Sequence, residues 1–218
     1  MEVHMKRIAL ALVLISAGLF VYAQTNLPEH YPVSGKWAAS GGRLFQNDEN
    51  ARLAKVNIPA PQDSAVMIYE FDARYEGGAE DGHGGFGLHI FVDKEHKGES
   101  WGAGKSYLLW LNYDEKPANK AIQPGFSAQL YLSKSNSEME LVQSFDMNEY
   151  ADLLTDENLA NPVFFKIVVD TKSGEAQVYD PTEENTYYAL KLEKNLPLKG
   201  KWVALRTNGM KMSFAPAQ

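Results

Sequence analysis

Short runs in which apolar and polar residues alternate recur along the chain, separated by clusters of Gly, Pro, Asn and Asp. A period of two puts one side-chain set on each face of an extended strand, so each run predicts a half-buried β-strand. The clearest lie at 65–75, 86–93, 106–113, 127–133, 138–144, 163–170, 176–180, 187–192 and 202–208. A last short strand, 211–214, follows Asn208-Gly209, a turn pair that tolerates positive φ at little cost. Gly174 closes a similar loop between 163–170 and 176–180. Many short strands with turn signals between them predict an all-β sandwich or barrel.

One segment has another period. Over 146–160, Asp146 and Glu149 have capping-box spacing, Tyr150, Leu153 and Leu154 share one helical face, and Asn161-Pro162 is a stop signal. The expectation is a short helix packed over an edge or opening of the sandwich.

The N-terminus departs from both patterns. Lys6 and Arg7 precede an uncharged run, 8–21, that ends in Val21-Tyr22-Ala23. A basic start, about 14 apolar residues and small side chains before a cleavage point read as a signal peptide, 1–23, cut after Ala23; a membrane span needs about 20. Residues 24–36 then form an N-terminal extension and 37–215 one domain, because no repeat, linker or low-complexity tract divides the β pattern. Export is expected, to the bacterial periplasm or outside the cell. The 218-residue chain has no Cys, which removes thiol nucleophiles, Cys-ligated zinc and disulfides, so the fold must rest on its core. Asp plus Glu outnumber Lys plus Arg, 28 to 21, giving a formal charge of -7 that argues against nucleic acid as a partner. No membrane insertion is expected once the leader is removed.

The alternation assigns faces. Met67, Tyr69, Phe71 and Ala73 make one set, leaving Glu70, Asp72 and Arg74 opposite; Leu88, Ile90 and Val92 leave His89 and Phe91 opposite. Leu109 and Leu111 point inward, with Trp110 and Asn112 outward; Ala128, Leu130 and Leu132 oppose Gln129, Tyr131 and Ser133; Val203, Leu205 and Thr207 oppose Trp202, Ala204, Arg206 and Asn208. A single β-bulge would swap the sets beyond it.

The segments 69–75, 84–91, 101–110 and 202–214 together resemble the concanavalin A-like lectin/glucanase superfamily, over most of residues 34–215. The resemblance implies an antiparallel two-sheet jelly-roll β-sandwich, like laminin-G modules and legume lectins, with any ligand on a sheet face or rim. That fold hosts lectins, glycosidases and plain scaffolds alike.

Laminarinase-type glycosidases of that superfamily carry a Glu-x-Asp-x-(x)-Glu strand. Glu70 and Asp72 begin such a motif, but Arg74 or Tyr75 stands where the second Glu belongs, so the acid/base is missing. A charged ladder with an Asp72–Arg74 ion pair is the simpler account of these residues. Glu76, Glu80 and Asp81, in a loop rich in glycine, offer oxygen ligands for calcium; a solvated rim loop is the alternative, and no other cofactor is expected. Sugars are held by an aromatic platform under their C–H face and by amide, acid and guanidinium groups on their hydroxyls. Glu70, Asp72, Arg74, His89, Trp101, Trp110, Asn112, Gln129, Tyr131 and Arg206 supply that inventory, unless their own chain covers them. The sequence thus points to a non-catalytic recognition module for glycans. The alternative is a structural or assembly protein of the periplasm or cell surface, packing on a protein partner such as a coat or appendage component; a glycoside hydrolase stands third.

Overall fold

The computed structural model describes residues 27–183, 185–192 and 196–217; the leader and its cleavage point lie outside them. The strands are β1 (Tyr31–Ser34), β2 (Trp37–Ser40), β3 (Arg43–Gln46), β4 (Ala54–Gln62), β5 (Val66–Gly78), β6 (His83–Val92), β7 (Ser106–Asp114), β8 (Gly125–Ser133), β9 (Met139–Asp146), β10 (Val163–Asp170), β11 (Glu175–Tyr179), β12 (Tyr187–Lys191), β13 (Gly200–Asn208) and β14 (Met210–Pro216). They form two antiparallel sheets, ordered β1-β4-β13-β6-β7-β8-β9 and β12-β11-β10-β5-β14-β3-β2. This is the expected jelly-roll sandwich. Among the described residues no helix is long and apolar enough to cross a membrane.

The core lies where the two inner faces meet. Val56, Leu88, Ile90, Leu109, Leu130 and Leu205 enter it from the first sheet, and Tyr69, Ala73, Ile167, Val169, Met212 and Phe214 from the second. Each large side chain buried there contributes roughly 1.5–3 kcal/mol, the main favourable term for a chain without disulfides.

Three features depart from the sequence pattern, each for a physical reason. First, β1 to β4 draw 31–62 into the sheets, and β1 pairs with β4 inside what reads as an extension. Pro59 and Pro61 interrupt the β4 pattern, yet β1 reaches only Lys55 to Asn57, so the prolines stand where β4 has β13 on one side and no strand on the other.

Second, the expected helix over 146–160 is two pieces, a 3-10 turn at Asn148–Leu153 and one helical turn at Asp156–Leu159. No side chain caps the first piece; instead Asp146 Oδ1 accepts from the Asn148 N–H at 2.9 Å. The Asn148 amide bonds to the Phe126 N–H and the Pro124 carbonyl, both at 3.0 Å, which ties the turn to the start of β8.

Third, β6 carries a bulge. Trp202 faces Val92 while Ala204 faces His89, and Phe91 takes φ 59°. Phe91 therefore packs inward, edge-on to Tyr69 with ring centroids 6.4 Å apart, rather than outward beside His89. Fully buried Gln62 holds the distortion, its Oε1 accepting from the Phe91 N–H at 2.8 Å and the Tyr69 hydroxyl at 2.7 Å.

The face assignment is testable at one residue per side. Leu130→Ala, at a position with 0% exposure, is expected to cost about 2–5 kcal/mol of unfolding free energy. Ile68→Ala, on the outer face of β5 at 55% exposure, should stay within about 0.5 kcal/mol by urea denaturation.

Candidate functional site

The outer face of the first sheet is built in register rows. One row runs Asn57, Ala204, His89, Leu108, Tyr131; the next runs Lys55, Arg206, Gly87, Trp110, Gln129; a third takes in Asn112 and Ser127. Six of the residues expected in a binding site, His89, Trp110, Asn112, Gln129, Tyr131 and Arg206, therefore share one face. Trp101 joins them from the 93–105 segment, which folds back over the strands.

Glycine makes room for this arrangement. A Cβ on Gly85 would come within 2.5 Å of Trp110 Cζ2, and one on Gly87 within 2.1 Å of the Leu109 carbonyl oxygen. Bare backbone on β6 is what lets the Trp110 indole lie flat against the sheet. The Arg206 guanidinium then sits between two indoles, 5.3 Å from the Trp101 centroid and 5.2 Å from that of Trp110. Its Nη1 donates to the Trp101 carbonyl at 2.6 Å.

Lys55 and Asn57 complete the face and were not legible as site residues, because the prolines of β4 obscure a strand whose alternation, Lys55 and Asn57 against Val56 and Ile58, is otherwise regular. Lys55 Nζ donates to the Ser100 hydroxyl and carbonyl, both at 3.0 Å, and to the Gly102 carbonyl at 2.5 Å. Asn57 Nδ2 donates to the His96 carbonyl at 3.0 Å. Ala103 and Gly104 N–H groups bond to Ser133 Oγ and Asn136 Oδ1. The segment is thus pinned along its length, and it covers most of the expected surface. Trp110 retains 8% of its exposure and its Nε1 donates to Asn112 Oδ1 at 3.1 Å; Gln129 is buried, and half-buried Tyr131 donates to Gln129 Oε1 at 2.7 Å. Trp110 is a supporting layer rather than an open platform. Trp101, at 63% exposure, is the aromatic surface presented to solvent.

The covered zone is cationic. Neither Lys55 nor Arg206 forms an ion pair among the described residues. Burial, with the neighbouring Arg206 charge, lowers Lys55 to about 8, and burial lowers Arg206 to about 10. Burial together with Arg206 and Lys55 holds His89 well below its ordinary range, so its imidazole is neutral at pH 7. His89 Nδ1 lies 3.0 Å from Ser106 Oγ, while its Nε2, Arg206 Nε and Asn57 Oδ1 are buried without partners.

Glu70, Asp72 and Arg74 are elsewhere. They lie on the outer face of β5 in the second sheet, so the core separates them from the other candidates. Alternation distinguishes inward from outward but not one sheet from the other. Glu70 pairs with Lys166 of the adjacent β10 at 3.2 Å. Arg74 pairs with Glu76 at 2.7 Å, not with Asp72. The charged ladder on this sheet is therefore real, with a different partner for Arg74. Of the expected calcium ligands, Glu76 accepts from Arg74 and from Ser213 Oγ at 2.6 Å, while Glu80 and Asp81 line one shallow depression, where Asp81 accepts from the His83 N–H. Among the described residues no three His, Asp or Glu side chains are grouped to hold a metal ion.

The buried lysine gives a pH signature. The unfolded chain keeps the Lys55 proton up to about 10.5, whereas the native chain releases it near 8. Over that window the unfolded state binds more protons at this residue, so the Lys55 contribution to stability rises as pH increases from about 8 to 10.5. In Lys55→Met that rise is expected to be smaller, read as the difference between the two proteins' urea midpoints across the window.

No protein-family model matches the chain, and no curated protein sequence does. Solved structures do. The carbohydrate-binding module CBM66 from Bacillus subtilis superposes with TM-score 0.58 at 12% identity, over 88% of this chain and 94% of that one. A B. subtilis protein with a galectin-like fold gives 0.57 at 12%, over 89% and 90%. A legume lectin-like domain from Entamoeba histolytica gives 0.51 at 8%, over 87% and 90%. At such identities the likeness is one of fold: this chain folds as a two-sheet jelly-roll sandwich like those modules.

Proposed function

We propose that this domain is the non-catalytic glycan-recognition module of an exported protein. The observation that carries the reading is Trp101: a solvent-exposed indole whose position is set by the Arg206 guanidinium behind it and by the Arg206 bond to its carbonyl. A sugar stacks its C–H face on such a ring, and an immobilised ring loses less conformational entropy on binding than a free one. Half-buried Tyr131 supplies a hydroxyl on the same face. Two of the similar folds, a carbohydrate-binding module and a lectin-like domain, are named for such roles and support the same reading.

A hydrolytic reading has weaker support. Hydrolysis with retention needs two carboxyl groups about 5–5.5 Å apart, one of them free to give a proton. Here Glu70 is ion-paired to Lys166, and Arg74 fills the position of the second acid.

A glycan array probed with the purified protein tests the proposal, followed by titration of any retained glycan. Trp101→Ala is expected to weaken binding by about ten-fold or more at a temperature where the variant is still folded, and to lower the thermal midpoint as well, because the same ring covers Arg206. Binding should persist in EDTA. An array without hits, or full affinity in Trp101→Ala, would refute the assignment.

A further inference from the structure

The space between the sheets is not filled. A cavity of about 760 Å³ opens between them beneath the 148–159 segment. Phe71, Phe86 and Phe165 project into it from inner-face positions and pack on one another, Phe71 to Phe165 at 5.4 Å and Phe86 to Phe165 at 5.5 Å, yet each stays only half-buried. Leu153 and Leu154 line its roof. An inner sheet face is ordinarily closed by side chains; here three aromatic rings keep access to solvent under a cover of one 3-10 turn and one helical turn.

The lining is mostly apolar, and its one carboxylate among the described residues is Asp180. There the Tyr150 hydroxyl meets Asp180 Oδ2 at 3.0 Å and the Tyr188 hydroxyl at 2.6 Å. Asp180 Oδ1 accepts from the Thr182 N–H at 2.7 Å and hydroxyl at 2.6 Å. Burial pushes the Asp180 carboxyl up, but the Thr182 and Tyr150 hydrogen bonds outweigh it and hold the group below its ordinary range, hence ionised at neutral pH.

We infer that this inter-sheet cavity binds an uncharged long-chain amphiphile, its chain among Phe71, Phe86 and Phe165 and a hydroxyl head group at Asp180, Tyr150 and Tyr188. The volume lies within the range of small-molecule sites and is about five times the ~150 Å³ apolar cavity that takes one benzene ring, room for an aliphatic chain rather than a single ring. The Tyr150 proton goes to Asp180 and the Tyr188 proton to Tyr150, so a hydroxyl head donates to the Tyr188 hydroxyl oxygen, which keeps a free lone pair. A carboxylate or phosphate head would meet the Asp180 charge, and the site discriminates against it. The inference uses none of the groups around Trp101, so it stands or falls apart from the glycan reading.

The test uses the purified protein with the uncharged fluorophore N-phenyl-1-naphthylamine, followed by competition with 1-monolaurin and with laurate. Saturable binding of one fluorophore per chain is expected, with 1-monolaurin displacing it about ten-fold or more better than laurate. Asp180→Asn should bring laurate to within about three-fold of 1-monolaurin, and Ala128→Phe, which fills the cavity from β8, should weaken both without altering any glycan binding. No saturable fluorophore binding, or laurate competing as well as 1-monolaurin, overturns the inference. These two outcomes are read on the unsubstituted protein, so they hold even where a variant fails to fold.

Discussion

Arg206 carries a positive charge into the middle of a β-sheet, and much of the surrounding architecture follows from that. A guanidinium removed from water loses several kcal/mol of solvation unless something replaces it. Here two indole faces and a backbone carbonyl take that place, without an ion pair among the described residues. Arginine suits the role because its charge is delocalised and its flat surface stacks, which an ammonium does not do. The arrangement needs one indole pressed on the sheet, hence glycine at 85 and 87, and a second brought over by the 93–105 segment, hence the Lys55, Asn57 and Asn136 bonds that hold that segment down.

The same stack links packing to recognition. Burying Trp110 gives up one aromatic surface and gives another, Trp101, a fixed backing. Lys55 and His89 sit in the covered layer with lowered proton affinity, so that layer holds a smaller charge than a count of its bases suggests. The two sheets also divide their outer chemistry. The first gathers amides, aromatics and bases, whereas the second carries a ladder of compensated charges, Glu70 with Lys166 and Arg74 with Glu76.

The inner face shows a second division. Toward Leu130 and Ile90 the core is closed, and toward Phe71, Phe86 and Phe165 it is not. The segment over it, 146–160, has the periodicity of a helix but forms two short turns, the first tied to the start of β8 by the Asn148 amide. A continuous amphipathic helix would present a longer apolar face to the opening than two turns do.

Period-two alternation was enough to predict an all-β sandwich, to separate Leu88, Leu109 and Leu130 from His89, Trp110 and Gln129, and to bring most of the eventual site to outward positions. It failed where local signal and tertiary setting disagree. Prolines hid β4 although its edge position tolerates them, and the bulge at Phe91 turned an outward residue inward because a buried glutamine was waiting for its N–H. Which outward residues meet was decided only by the fold. Glu70, Asp72 and Arg74 alternate just as His89 and Trp110 do, yet strand order sends them to opposite sides of the core. Side-chain direction is a local property of the backbone, whereas sheet membership and the covering of Trp110 by residues 93–105 depend on pairings between strands far apart in the chain, which no local pattern encodes.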